Sequence, residues 1–422
     1  MIRFYNGKVL RFFPSLRITT DEVWVEQNRI CYVGPSQKAV PSFERQIDLR
    51  GDLLMPGFKN AHTHTAMTFL RSLADDRDLQ SWLSEIVWPN ESRLTDEAVY
   101  YFTKLGIMEY LSSGITASFD MYVHNEAYAK ANVDAGFRTV ICSGLNNFDA
   151  DPENIEREFL RFNHYNELVS YQLGIHAEYT TSLDRMEYLS SLAEKYHAPC
   201  FTHLCETKSE SEDCIKRYGM SATQVLDKIG FFRYGGGGFH CCYLTEEDIQ
   251  YFADHGLWAV TCPASNLKLA SGIAPVEQMR RQGVKIAIGT DGASSNNALD
   301  FFREMYLVTA LQKIYEADAA ACPAAEVLTM ACVNGARALS LTDCDDIAQG
   351  KLADLIIIDL NCPNMHPINN LAANLVYSGS KENVRLTMVN GKILYENGEF
   401  FIGQPAEEIY SFADTFSQSL IR

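Results

Sequence analysis

LLMPGFKNAHTHTAMTFLR, residues 53–71, joins an apolar run to two histidines one residue apart. In an extended segment side chains alternate, so His62 and His64 point the same way and bring two imidazoles to one place. Such a pair at the end of a buried strand has metal-chelating geometry. Chance placement on a solvated loop is the other reading, and the remaining chain has to supply further ligands to decide between them.

Working outward, short apolar runs rich in β-formers recur at 53–58, 115–121, 137–144, 171–177, 199–206, 237–243, 257–263 and 284–291. Helical patterns lie between them, such as DEAVYYFTKLGIMEYLSSG at 96–114 and EEDIQYFADHG at 246–256. Eight rounds of strand and helix predict a parallel (β/α)8 TIM barrel more readily than an open sheet. Both ends differ in character: RFYNGKVL and DEVWVEQNRICYVG near the start, ADLIIIDL and NVRLTMVNGKILYENGEF near the end, read as strands and hairpins. A small β-sandwich domain built from 1–55 and 353–422 is therefore expected, with the barrel at 56–352 between its halves. The run GGGG at 235–238 reads as a flexible approach to the sixth strand.

Composition narrows the partners. The chain has 422 residues, 47% of them hydrophobic, and 36 basic against 54 acidic groups, a formal charge of −18. No basic run is present, so a nucleic acid would be repelled. No apolar stretch is long enough to span a bilayer. Twelve cysteines sit mostly within apolar strand-like runs and none forms C-x-x-C, which predicts free, buried thiols and a cytoplasmic protein.

In a barrel of this kind the C-terminal ends of the strands face the active site. Those ends carry His62 and His64, then His176, His203 with Glu206, His240, and Asp291. Singly, each has a structural explanation: a hydrogen-bonded core histidine, a loop cap, an N-cap aspartate, a glutamate opening a helix. Together they fall at equivalent positions of different strands. His62, His64, His203 and Asp291 make an N3O set suited to one divalent ion, zinc being expected and iron the alternative. Glu206 is placed to take a proton from a water and deliver it to a substrate, and His240 to hydrogen-bond that water or a developing oxyanion. Strand four ends in GIHAEYTTS without a lysine, so a carbamylated bridge to a second metal has no source. H-E-x-x-H, G-x-S-x-G, a P-loop, a convincing G-x-G-x-x-G and the H-x-E with P-C-x-x-C pattern are all absent.

On PGFKNAHTHTAMTFLR, THLCET, FHCCYL, TCPASNLKLASGIAPV and IGTDGASSNN, backed by LADLIIIDL, the chain resembles the amidohydrolase superfamily in its deaminase and chlorohydrolase branch. Within that branch it is most similar to the 5′-methylthioadenosine/S-adenosylhomocysteine deaminases, which also have a counterpart of DLQSWLSEIVWPNESRLT at 78–95. The resemblance implies metal ligands His62, His64, His203 and Asp291, with Asp291 also accepting a proton from the water. It implies that Glu206 protonates the ring nitrogen and that His240 orients the water. Trp82 would pack on the nucleoside, Glu91 would accept the ribose hydroxyls, and His176 would touch substrate. Ser143 stands where relatives that accept S-adenosylhomocysteine have an arginine for the distal carboxylate, so an uncharged 5′ group is at least as well suited. Hydrolytic deamination of an adenine nucleoside is the expected reaction. Deamination of guanine or another base and triazine dechlorination are the alternatives, and the intact ligand set argues against a silent scaffold. The resemblance also implies a homo-oligomer, dimer or tetramer.

Overall fold

A computed structural model describes residues 1–38, 41–73, 75–148 and 151–421. Eight parallel strands form one sheet in sequence order: β1 (Phe58–Thr63), β2 (Ile115–Met121), β3 (Arg138–Cys142), β4 (Val169–Ala177), β5 (Cys200–Leu204), β6 (Gly236–His240), β7 (Trp258–Thr261) and β8 (Lys285–Ile288). Seven parallel ladders join successive strands. The barrel is closed from β8 back to β1 by hydrogen bonds just past β8. Asn60 Oδ1 accepts the Thr290 N–H at 2.9 Å, and the Asp291 N–H donates to the His62 carbonyl at 3.0 Å. That closure matters for function, because it places Asp291 beside the histidine pair.

The glycine run is not a flexible approach. Gly236 to Gly238 lie in β6 itself, where a Cβ at Gly236 would sit 1.8 Å from the Cys200 carbonyl oxygen and one at Gly237 2.0 Å from that of Trp258. Only hydrogen fits between the neighbouring backbones.

Strands from both ends of the chain share one seven-stranded sheet. Its centre runs Lys8–Arg11, Leu53–Pro56, Leu355–Ile358 and Val384–Val389. Leu355 and Ile357 face a core made with the four-stranded sheet of Ile2–Tyr5, Glu22–Glu26, Arg29–Gly34 and Arg45–Asp48, whereas Ile356 and Ile358 face the barrel core. Period-two alternation thus makes this sheet a middle layer, apolar on both faces. The helix Ala406–Ile421 leaves the sheets and packs on the barrel helix Asp96–Ser112, with the Tyr101 and Phe412 rings stacked at 4.1 Å.

Candidate active site

The strand ends converge. His62 lies wholly buried on β1, its ring stacked 3.9 Å from that of Phe239. His64 follows β1, where the chain turns into the short helical segment Thr65–Leu70. Two hydrogen bonds fix the tautomers that matter. The Nδ1–H of His64 donates to the Met121 carbonyl at 2.5 Å, and that of His203 to the His176 carbonyl at 2.6 Å. A carbonyl only accepts, so in both neutral rings Nε2 carries a lone pair.

Those two Nε2 atoms stand 3.4 Å apart, and Asp291 Oδ1 is 3.3 Å from that of His64 and 3.7 Å from that of His62. Among the described residues neither ring nitrogen of His62 has a hydrogen-bond partner. Lone pairs and a carboxylate crowded at these distances in a buried site repel one another unless a cation lies among them. This arrangement fits a divalent ion held by three imidazoles and one carboxylate. Burial, reinforced by the neighbouring imidazoles, pushes the His62 and His203 pKa values well down. Burial raises the Asp291 pKa, but the positive charge that His64 and His240 carry when protonated, and the hydroxyls of Ser265 and Ser295, bring it below the usual range. Its backbone is left-handed (φ 58°), as are those of His240 (φ 68°) and Cys205 (φ 50°), conformations that cost about 1–3 kcal/mol each and collect at functional sites.

Glu206 and His240 face each other across the floor, with Oε2 3.7 Å from Nε2. The Ser271 hydroxyl donates to Glu206 Oε1 at 3.0 Å, and His240 Nδ1 donates to Asn266 Oδ1 at 2.8 Å, which turns Nε2 toward the cavity. Burial raises the Glu206 pKa, opposed by His240. The main chain here is fixed by Glu210, whose carboxylate accepts the N–H groups of Cys205 at 3.0 Å and Glu206 at 2.9 Å in a capping box with Thr207.

Above this floor opens a cavity of about 350 Å³, bordered by His64, His203, Glu206, His240 and Asp291 at one end and by Trp82, Glu91 and His176 along its walls. Trp82 and Glu91 come from Leu79–Glu91, a helical stretch with a π-type turn over Trp82–Val87, the local widening often found at functional positions. Trp82 Nε1 donates to Ser294 Oγ at 3.2 Å. Glu91 is pushed up to about 7 by burial, with Tyr122 and His64 opposing. His176 is pushed down to about 4 by burial and by His64 and His240.

Ser143 departs from expectation. Its hydroxyl donates to the Gly174 carbonyl at 2.9 Å and accepts the Gly174 N–H at 2.7 Å, so the side chain is consumed between β3 and β4 and does not border the cavity. Gly144 and Asn146 border it instead. Sequence reasoning also passed over Ser265, Asn266 and Ser271, although all three lie in the quoted PASNLKLASG. It passed over Ser295 in GASSNN as well.

With this geometry established, the comparisons with known proteins are specific. The model of the amidohydrolase family matches residues 53–394. The chain is 38% identical over 406 residues to a 5-methylthioadenosine/S-adenosylhomocysteine deaminase of Pyrococcus furiosus, covering 94% of this chain and 95% of that one. It is 39% identical over 395 residues to the protein of that name from Moorella thermoacetica, covering 92% of each. Among solved structures it is similar to an adenosine deaminase of Xanthomonas campestris with bound zinc, at 31% identity and a TM-score of 0.94 over 99% of this chain and 98% of that one. Matched over most of its length by a family model and by full-length relatives, the chain belongs to the amidohydrolase family.

Proposed function

We propose that this protein hydrolytically deaminates an adenine nucleoside, replacing the C6 amino group by oxygen and releasing ammonia. The observation that carries the reading is the pairing of Glu206 with His240 on the floor of a cavity whose wall presents Trp82 and Glu91. The names of the relatives at 38% and 39% identity support the same substrate class. His62, His64, His203 and Asp291 would hold the metal, zinc by donor set and by likeness to a zinc-bound neighbour. Such an ion, when bound, lowers the pKa of a coordinated water to about 7 and so supplies a nucleophile at neutral pH.

The side chains divide the proton work. Asp291, whose ionised form the Ser265 and Ser295 hydroxyls favour, accepts the proton of the attacking water. Glu206, whose pKa burial raises, gives its proton to the ring nitrogen beside C6 and recovers one from the C6 hydroxyl as that becomes a carbonyl, while the proton taken up by Asp291 leaves on the departing amine. His240, its Nδ1 tied to Asn266, orients the water through Nε2 and stabilises the oxygen that develops at C6. Trp82 stacks on the base, Glu91 accepts the ribose hydroxyls, and His176 completes the wall.

Among the described residues no lysine or arginine borders the cavity. A 5′-methylthio, 5′-deoxy or 5′-hydroxy nucleoside therefore suits it better than the zwitterionic tail of S-adenosylhomocysteine, whose carboxylate would lose water without gaining a cation. One observation keeps that tail as the second reading: Arg185 donates to the carbonyl of Asn146, a residue of the cavity wall, at 2.5 Å. The test is ammonia release by zinc-loaded protein across 5′-methylthioadenosine, 5′-deoxyadenosine, adenosine and S-adenosylhomocysteine, with guanine and a chlorotriazine as outside classes. Adenosines turned over in preference to the outside classes support the proposal, and absence of ammonia from every adenosine rejects it. Loss of S-adenosylhomocysteine turnover alone in Arg185→Ala would establish the second reading.

A further inference from the structure

Asp291 is gripped from outside the cavity. Its Oδ2 accepts the Ser265 hydroxyl at 2.5 Å and the Ser295 hydroxyl at 2.7 Å, while Oδ1 accepts the Gly292 N–H at 2.8 Å and is the oxygen turned to His64 and His62. The serines come from different loop regions, in the short helices Pro263–Lys268 after β7 and Ala293–Asn296 after β8. A second carboxylate joins those regions. Glu304, on the helix Phe301–Tyr315, accepts the Ala264 N–H on Oε2 at 3.1 Å and the Asn296 side-chain amide on Oε1 at 2.7 Å. Ala264 immediately precedes Ser265, and Asn296 immediately follows Ser295. The same amide of Asn296 also donates to the Thr290 carbonyl at 2.6 Å, next to Asp291.

The cost of this carboxylate argues that it has work to do. Glu304 is completely buried on a helix whose Phe301, Met305 and Val308 are buried too, and among the described residues no basic side chain forms an ion pair with it. An apolar side chain at this helix position would leave the Ala264 N–H and one hydrogen of the Asn296 amide buried without an acceptor, so the carboxyl group is what lets these two segments pack together. We propose that Glu304 is a positioning residue: it brackets the two serine loops, and through Ser265 and Ser295 fixes which oxygen Asp291 presents to the histidines. The inference rests on the role given to Asp291 in the proposed reaction.

The test is a mutant cycle on zinc-loaded protein, comparing Glu304→Gln, the pair Ser265→Ala with Ser295→Ala, and all three together. Gln keeps the shape but offers only one acceptor for two donors. Expected for Glu304→Gln is a loss of roughly tenfold to a hundredfold in kcat, the range for groups that orient metal ligands, with KM nearly unchanged. Zinc affinity by chelator competition falls in parallel, and the triple variant is no worse than the serine pair. Losses that multiply in the triple variant overturn the proposal, as does Glu304→Gln with kcat and zinc affinity at wild-type levels. Should Glu304→Gln not fold, Asn296→Ala combined with Ser295→Ala decides by the same criterion. Full activity in Asp291→Asn would reject the proposed chemistry instead, and zinc affinity would still decide the bracket.

Discussion

The two ends of the cavity are built on opposite terms. At the floor, polar atoms are held by other polar atoms: His64 by a carbonyl, His240 by Asn266, Glu206 by Ser271, Asp291 by two serines. At the mouth the groups are apolar and loosely packed: Trp88 and Phe148 touch at a ring separation of 5.5 Å, Val123 stands nearby, and Phe148 is 74% exposed. The floor has the preorganisation that proton transfer needs, since donors fixed before reaction lose nothing by reorienting during it. The mouth offers apolar contact in place of fixed hydrogen bonds. Under the proposed reaction, chemistry and choice of 5′ group belong to separable regions, and changes at one should leave the other intact.

The sharpest way to break this division is Glu206→Gln, expected to lower kcat by roughly 10²–10⁴ for every nucleoside alike while binding persists, measured by ammonia release and by equilibrium binding. An effect confined to one substrate would mean that the floor also selects. Next comes Ser271→Ala, with a loss of about tenfold expected. The hydroxyl it removes stabilises the ionised carboxylate and lowers its pKa. Without it the pKa of Glu206 rises, so the alkaline limb of the kcat profile, where the acid loses its proton, moves to higher pH. At the mouth, Trp88→Ala with Phe148→Ala should raise KM for 5′-methylthioadenosine about tenfold and leave adenosine nearly unaffected, the scale of losing contact to a small apolar group.

The smallest effect concerns stability. Burial pushes Glu304 from its ordinary 4.5 up to about 8. Between those values the unfolded chain has released this proton while the folded protein keeps it, so this group's contribution to stability falls as pH rises through the interval. Melting temperatures of Glu304→Gln should show a shallower decline from about pH 4.5 to about pH 8 than those of the wild type. Equal slopes would show that this carboxylate does not titrate there.

Much of the floor was legible because strand ends are legible. His62, His64, His203, His240 and Asp291 each stop an apolar run, and the alternation of strand and helix says that such stops share one face of a barrel. Ser143 was singled out by its place in the resemblance, which does not say where a serine there would point. It lies just past the end of β3, where a shift of one residue decides whether a side chain enters the cavity or the strand pair, and the pattern of apolar residues does not fix that choice. Gly236 to Gly238 were misread because a glycine demanded by a neighbouring backbone has the same letter as one that loosens a loop. Glu304 carried no signal at all: a glutamate on a helix reads as solvated, and its worth depends on two loops that come near it only in the folded chain.

The middle sheet has a consequence for how the molecule is made. Leu53–Pro56 pairs on one side with Lys8–Arg11 and on the other with Leu355–Ile358, segments that leave the ribosome at opposite ends of synthesis. While the barrel is being translated, Leu53–Pro56 presents the open hydrogen-bonding edge that later receives Leu355–Ile358, a template for any other extended chain. The nascent protein therefore passes through a long interval of exposure to aggregation, and its yield in a cell should depend on chaperones more than the stability of the finished fold would indicate.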